Sequence, residues 1–267
     1  MKSLKDISMI IAATCIIVGA NNAVAAGFGN GNGNSFAPGP QSMVSQLPFE
    51  ELSQQEKDGL VKMREEEKLA RDVYIYLNDL WQNRVFSRIA ESEQRHMDAV
   101  AALLAKYGIT DPVNGMGPGQ FNSSEMQDLY NSLTAKGATS LEEALLVGAT
   151  IEDLDIKDLE ELLKTSDNED ILTIYQNLVK GSRNHLRAFT SQLSNLGITY
   201  QAQFLTQEEV DSIIKSPWER GRVDKDGNLV SGPRGFGKRG PRSGAIRGSR
   251  TNFIDMDGDG ICDNLTI

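Results

Sequence analysis

Two stretches of this chain end in the same way. Leu103-Leu104-Ala105-Lys106-Tyr107-Gly108-Ile109-Thr110 runs on to a short segment led by Phe121, and Gln192-Leu193-Ser194-Asn195-Leu196-Gly197-Ile198-Thr199 runs on to one led by Phe204. A glycine after a run of helix-forming residues marks a helix end, so each stretch reads as a long helix that stops and is followed by a short one. The two are copies of one helical hairpin unit. Counting back twelve residues from the glycine reaches His96 in the first copy and His185 in the second, and these are the only histidines in the chain.

Local signals agree with a helical reading of the middle of the chain. Ser53-Gln54-Gln55-Glu56, Ser140-Leu141-Glu142-Glu143 and Thr206-Gln207-Glu208-Glu209 have the pattern of capping boxes, in which hydroxyl and acid each satisfy an orphan amide of a helix start. Gly108, Gly137 and Gly197 stand where helices should stop, and residues 49–216 contain only two prolines, Pro112 and Pro118, in one Gly-rich loop. The pattern predicts long helices at about 53–82, 86–107, 141–165 and 168–196, with short ones near 124–136 and 207–215. No stretch reads as a strand. The expected fold is all-α, a four-helix bundle made of two repeated hairpins around one core.

Two histidines and two cysteines exclude zinc-finger arrays, four-cysteine iron-sulfur sites and disulfide scaffolds. Any metal site must therefore rest mainly on carboxylates. Glu93-Gln94-Arg95-His96 places a carboxylate and an imidazole one turn apart on one helix face. Four-helix carboxylate sites use such Glu-x-x-His pairs on two helices and a glutamate from each of the other two. On the first helix Glu67 is the best candidate of Glu65, Glu66 and Glu67, because it shares a stripe with Ala70 and Tyr74, whereas Glu65 and Glu66 are expected on a solvated face. The third long helix offers Glu152 and Asp155. Each residue also has a plainer reading: a surface ion pair for Glu93 and His96, a hydrogen-bonded core histidine for His185, an early-helix acid for Glu152, core packing for Tyr74.

The runs Glu65-Glu66-Glu67-Lys68-Leu69-Ala70-Arg71-Asp72-Val73-Tyr74, Ser92-Glu93-Gln94-Arg95-His96, Gly148-Ala149-Thr150-Ile151-Glu152-Asp153-Leu154-Asp155-Ile156 and Gly181-Ser182-Arg183-Asn184-His185-Leu186-Arg187-Ala188-Phe189 resemble a ferritin-like family, the bacterial and archaeal proteins of domain of unknown function 2202. The resemblance spans about residues 50–215. It implies a ferritin-like four-helix bundle with a di-iron-type carboxylate pocket and points to Glu67, Glu93, His96, Glu152 and His185 as metal ligands. Where the full ferritin-like pattern has a glutamate three residues before the second histidine, this chain has Ser182. Its second metal position would therefore be weaker, or completed by Asp155 or water, and one ion or two both fit. Carboxylate and imidazole suit iron or manganese. The chemistry expected with them is ferroxidase, oxidase or peroxide-reducing, acting on dioxygen or peroxide with an external reductant, since no four-cysteine donor module is present.

The two ends read differently. Lysines in residues 1–6, an apolar run over 7–20 and Ala23-Val24-Ala25 give residues 1–25 the form of a secretory signal peptide, which predicts a secreted or periplasmic protein. Cys15 lies within that signal, leaving Cys262 without an intrachain partner. Residues 26–48 have the composition of a flexible Gly/Asn-rich linker. The helical domain is expected over 49–216 and a basic Gly/Arg-rich linker over 217–250. Residues 218–250 carry nine Lys or Arg against three Asp or Glu within a chain of net charge -10. Such a tail suits the acidic bundle itself or anionic envelope polymers better than nucleic acid. Within 251–267, Asp255, Asp257, Asp259 and Asp263, with a carbonyl from Ile261 and Gly260 at position six, follow the ligand order of an EF-hand-like calcium loop. Thr266 replaces its final glutamate. The leading expectation is an exported carboxylate-bridged metal-binding protein, with homo-oligomerisation left open. The alternative is a non-catalytic bundle whose calcium tail serves attachment or assembly.

Overall fold

The computed structural model describes residues 44–230. The signal peptide, most of the first linker, the basic segment beyond 230 and the calcium loop of Asp255, Asp257, Asp259, Ile261 and Asp263 lie outside them. Among the described residues there are six helices and one isolated antiparallel bridge, Val223 with Leu229. The helices are α1 (Gln54–Trp81), α2 (Arg84–Lys106), α3 (Ser124–Gly137), α4 (Leu141–Thr165), α5 (Glu169–Asn195) and α6 (Gln207–Lys215). The all-helical expectation holds. None of these helices is long and apolar enough to cross a membrane.

The helix starts follow their sequence signals with one difference. Ser53 and Glu56 exchange both bonds of a capping box, as do Thr206 and Glu209. At α4 only half of the box forms: Ser140 Oγ accepts the amide of Glu143 at 3.1 Å, but the Glu143 carboxylate instead lies 3.7 Å from Lys136. The repeat is visible in the helix ends. Ile109 N–H donates to Leu104 O at 2.9 Å and Ile198 N–H to Leu193 O at 3.0 Å. Gly108 and Gly197 hold the left-handed φ values of 64° and 77° that such a stop needs.

α1 packs along α2 and α4 along α5, and the two hairpins meet through α1 with α4 and α2 with α5. The four long helices thus surround one interior. Tyr74, Phe86 and Phe189 form its aromatic centre, with ring centroids 5.3 to 6.4 Å apart. α3 lies across α1 and α4, while α6 caps α5.

The connections are fastened by buried charge. Lys68 pairs with Asp72, donates to Gly117 O at 2.9 Å and lies 4.5 Å from the Phe121 ring centroid, which pins the loop after α2 onto α1. Asp153 accepts from Tyr200 Oη at 2.8 Å and from the amides of Gln203, Phe204 and Leu205 at 2.6, 3.2 and 2.8 Å. The start of the span assigned to the basic linker is held to the bundle. Glu219 pairs with Arg183 and Arg187, and Asn177 brackets Val223, so residues 219–223 are strapped to α5.

Replacing Asp153 with alanine is expected to strand four donors beneath the α5–α6 connection. The cost should be roughly 3–5 kcal/mol, read as a lower urea midpoint, and a loss below about 1 kcal/mol would show that water replaces the carboxylate without penalty.

Candidate metal centre

Each of the four long helices sends one or two ionisable side chains into the interior at the same level. α1 supplies Glu67, α2 supplies Glu93 and His96, α4 supplies Glu152, and α5 supplies His185, all of them buried. The spacing explains the convergence: Glu67, Ala70 and Tyr74 recur on the inward face of α1, and the three-residue interval stacks Glu93 under His96 on α2.

Glu93 is the shared element. Its Oε2 lies 2.7 Å from His96 Nδ1 and its Oε1 lies 2.8 Å from His185 Nδ1. Glu67 Oε2 approaches the same His96 nitrogen at 3.2 Å, and Glu152 Oε2 approaches His185 Nδ1 at 3.4 Å. Two groups of potential metal ligands result, Glu67–Glu93–His96 and Glu93–Glu152–His185, overlapping in Glu93. The imidazole rings stack with centroids 5.6 Å apart.

The five residues named from the sequence are therefore brought together. Tyr74 donates to Glu152 Oε1 at 2.5 Å and so holds that carboxylate from outside the two groups. Asp155 and Ser182 belong to neither group; the Ser182 hydroxyl donates to Asp155 and, at 3.1 Å, to Leu178 O. Glu66 departs from expectation. It is buried rather than solvated, because it points sideways from α1 toward α4, where Lys62 and Asp158 meet it.

Two contributors were not singled out in the sequence. Ser92 shares a 3.0 Å hydrogen bond with His185 Nε2, which orients the ring so that Nδ1 faces the carboxylates. Gly181 lies against His96, and a Cβ there would come within 2.6 Å of His96 Nε2 and 2.7 Å of Cε1. Both occupy the position four residues before a histidine, and each touches the histidine of the other hairpin. Extending the repeat alignment by one helical turn finds them.

The electrostatics follow from burial and mutual charge. Burial pushes the Glu93 carboxyl up, but the attraction of His185 and His96 outweighs it and holds the group well below the usual carboxylate range. Glu67 is raised well above that range by burial and by the neighbouring Glu93 and Asp155. Glu152 is raised by burial and by Glu93, against the pull of His185. Asp155 is raised to about 7 by burial and Glu152. Burial would lower His185, yet Glu93 and Glu152 lift it to about 9. Three buried atoms of the centre, Glu67 Oε1, Glu93 Oε1 and His185 Nδ1, nonetheless have no hydrogen-bond partner. The last two lie 2.8 Å apart without hydrogen-bond geometry. A cation accepting both atoms, together with Glu152, satisfies both at once.

Comparison with known proteins places this chain among uncharacterised relatives. The sequence profile of a family described as an uncharacterized protein domain (DUF2202) matches residues 56–217, the span that carries every residue of the centre. Uncharacterized protein MJ0754 of Methanocaldococcus jannaschii is 53% identical over 178 residues, covering 67% of this chain and 96% of that protein. The crystal structure of hypothetical protein MJ0754 from Methanococcus jannaschii DSM 2661 matches with a TM-score of 0.64 at 53% identity, over 65% of this chain and 99% of that one.

The charge distribution predicts the pH dependence of the metal-free protein. His185 and Asp155 both have folded values above their ordinary 6.5 and 3.8, so the folded state holds the extra protons. Each contribution is complete below the ordinary value and is lost as pH rises through the folded one. Stability should therefore fall between pH 6.5 and about 9, by on the order of 3 kcal/mol from His185. Urea midpoints measured across this range check it, and a flat profile contradicts the buried His185–Glu93 pairing.

Proposed function

The chain belongs to the DUF2202 family, and we propose, from the geometry of its buried centre, that it is a ferritin-like four-helix protein that binds iron or manganese through Glu67, Glu93, His96, Glu152 and His185 and, from its N-terminal sequence alone, that it is exported. The observation that carries this reading is the set of orphaned atoms at the centre. The alternative, a non-catalytic bundle closed by its own hydrogen bonds, would satisfy its polar atoms internally. Here a carboxylate oxygen and an imidazole nitrogen face each other at 2.8 Å, both buried and neither making a hydrogen bond, the disposition of two donors turned toward one ion.

The donor set favours hard or borderline cations over copper(I). Glu67 and His96 would hold one ion, Glu152 and His185 a second, and Glu93 would contribute an oxygen to each. Iron bound in this way supplies oxidation–reduction chemistry toward dioxygen or peroxide, with Fe(II) itself or an external reductant as the electron source. Around it the protein's own residues divide the work. Ser92 fixes the His185 ring, Tyr74 orients Glu152, and Gly181 leaves the space that His96 fills. The raised carboxyl of Glu67 and the protonated His185 must give up protons for ligation, so binding should release acid and tighten with pH. Export rests on the N-terminal signal pattern, and calcium binding on the aspartates from Asp255 to Asp263.

Metal analysis tests the centre directly. Protein purified without chelator and supplied with Fe(II) or Mn(II) is expected to hold about one to two ions per chain, and Glu93→Gln or the His96→Ala/His185→Ala pair to hold less than about 0.2. Wild type below that level would refute metal binding at these residues.

A further inference from the structure

Outside the centre, a second buried acid is left without a hydrogen bond. Glu66 is 7% exposed, and neither of its carboxylate oxygens has a hydrogen-bond partner. Its one opposite charge is Lys62, 3.5 Å away, which makes its closer contact with Asp158 at 2.8 Å. Two unbonded oxygens on one buried carboxylate mark a place suited to something polar.

The surroundings give that place a direction. On the outer side, a cleft of about 300 Å³ opens between α1 and the start of α3, with Asp58, Glu65 and Glu125 on its walls and Lys62 in its lining. On the inner side, Asp155 stands one turn of α4 from the ligand Glu152 and one turn from Asp158, which Lys62 meets at 2.8 Å, and it keeps partial exposure. Acidic groups therefore continue from the surface, past a single lysine, to the buried centre. Among the described residues, Glu66, Asp155 and Asp158 do not converge tightly enough to form a third group of metal ligands. Such a route requires this looseness, since a cation must be held well enough to enter and weakly enough to leave.

We propose that the cleft, Lys62, Glu66 and Asp155 form the entrance through which divalent cations reach the Glu93 centre, with Lys62 as the resident positive charge that an arriving cation displaces. The lysine suits this role because its side chain is 37% exposed and flexible, so it can swing into the cleft while its place beside Glu66 and Asp158 is taken by the ion.

The entrance rests on the metal-binding reading, and the experiment separates the two. Metal-free full-length protein is mixed with Co(II) in a stopped-flow instrument, and the visible absorption of the bound ion gives both the rate and the end-point of uptake. Glu66→Gln, which keeps shape but cannot offer a carboxylate to a passing cation, is expected to slow uptake on the order of tenfold with the wild-type end-point. Lys62→Met is expected to accelerate it several-fold (a rough figure from the same electrostatic argument). Rates within about twofold of wild type for both variants, with a normal end-point, overturn the entrance and leave the centre standing. A reduced end-point at unchanged rate for Glu66→Gln makes Glu66 a ligand and also overturns it. Failure of wild type to take up Co(II) at all removes the centre, and the entrance with it.

Discussion

Glu93 touches an imidazole with each of its oxygens, His96 on its own helix and His185 on α5, and the register of the long helices is tied to that double contact. A carboxylate withdrawn from water is tolerated only beside compensating charge. His185 must therefore lie level with Glu93 across the α2–α5 interface, and Glu67 and Glu152 are brought to the same ring nitrogens that Glu93 contacts. A slide of α5 by one turn, about 5.4 Å, would leave Glu93 half uncompensated and bring Ser182 and Asp155 out of register. The apolar core of Tyr74, Phe86 and Phe189 favours compactness, but the charged layer makes only one alignment acceptable.

Buried charge elsewhere in the molecule is treated quite differently. Arg64 forks onto Asp111 and also donates to Met97 O at 2.8 Å, Lys106 and Tyr107 both reach Asp170, and Asp153 receives three amides and a hydroxyl. Each of these tethers a loop or a helix end, and each is closed by its own partners. The centre and Glu66 break that pattern. The same sequence that satisfies Asp153 four times leaves Glu67 Oε1, Glu93 Oε1, His185 Nδ1 and both oxygens of Glu66 unbonded. The contrast gives these buried acids a functional meaning, because a chain that caps its loops this thoroughly does not lack the means to close its core.

Much of this was legible in the sequence for specific reasons. Helix ends were marked by chemistry that acts within a few residues, such as Ser53 with Glu56 or the left-handed glycines 108 and 197, so their positions need no tertiary information. Of the centre's residues, the two histidines were legible because a duplicated unit repeats its histidine at the same distance from its stop, Glu93 by its spacing from His96, Glu67 by the stripe it shares with Ala70 and Tyr74, and Glu152 through the family resemblance. Glu66 was not legible: a triple-glutamate run looks solvated, and its burial depends on how closely α4 approaches α1, which no local pattern encodes. The missing half of the Ser140 box has the same origin, since Lys136 of a neighbouring helix draws Glu143 away. Ser92 and Gly181 lie between these cases. Their types carry no signal alone, but their shared position relative to the two histidines does.

The duplication is also where the two halves part company. Strict repetition would place a second glutamate at 182, and the centre would then contain a carboxylate of its own for each hairpin. Ser182 withdraws instead into a hydrogen bond with Asp155. Glu93 is left as the one acid within reach of both imidazoles, and the two ligand groups cannot be independent. Rotating the carboxylate toward one ring weakens its contact with the other, 5.6 Å away between centroids. Adding a fourth carboxylate would remove that dependence but would enlarge the negative charge of a pocket where Glu67 and Glu152 are already raised by burial and by Glu93. The serine thus gives, in place of a symmetrical centre, one whose single shared acid is compensated by both imidazoles.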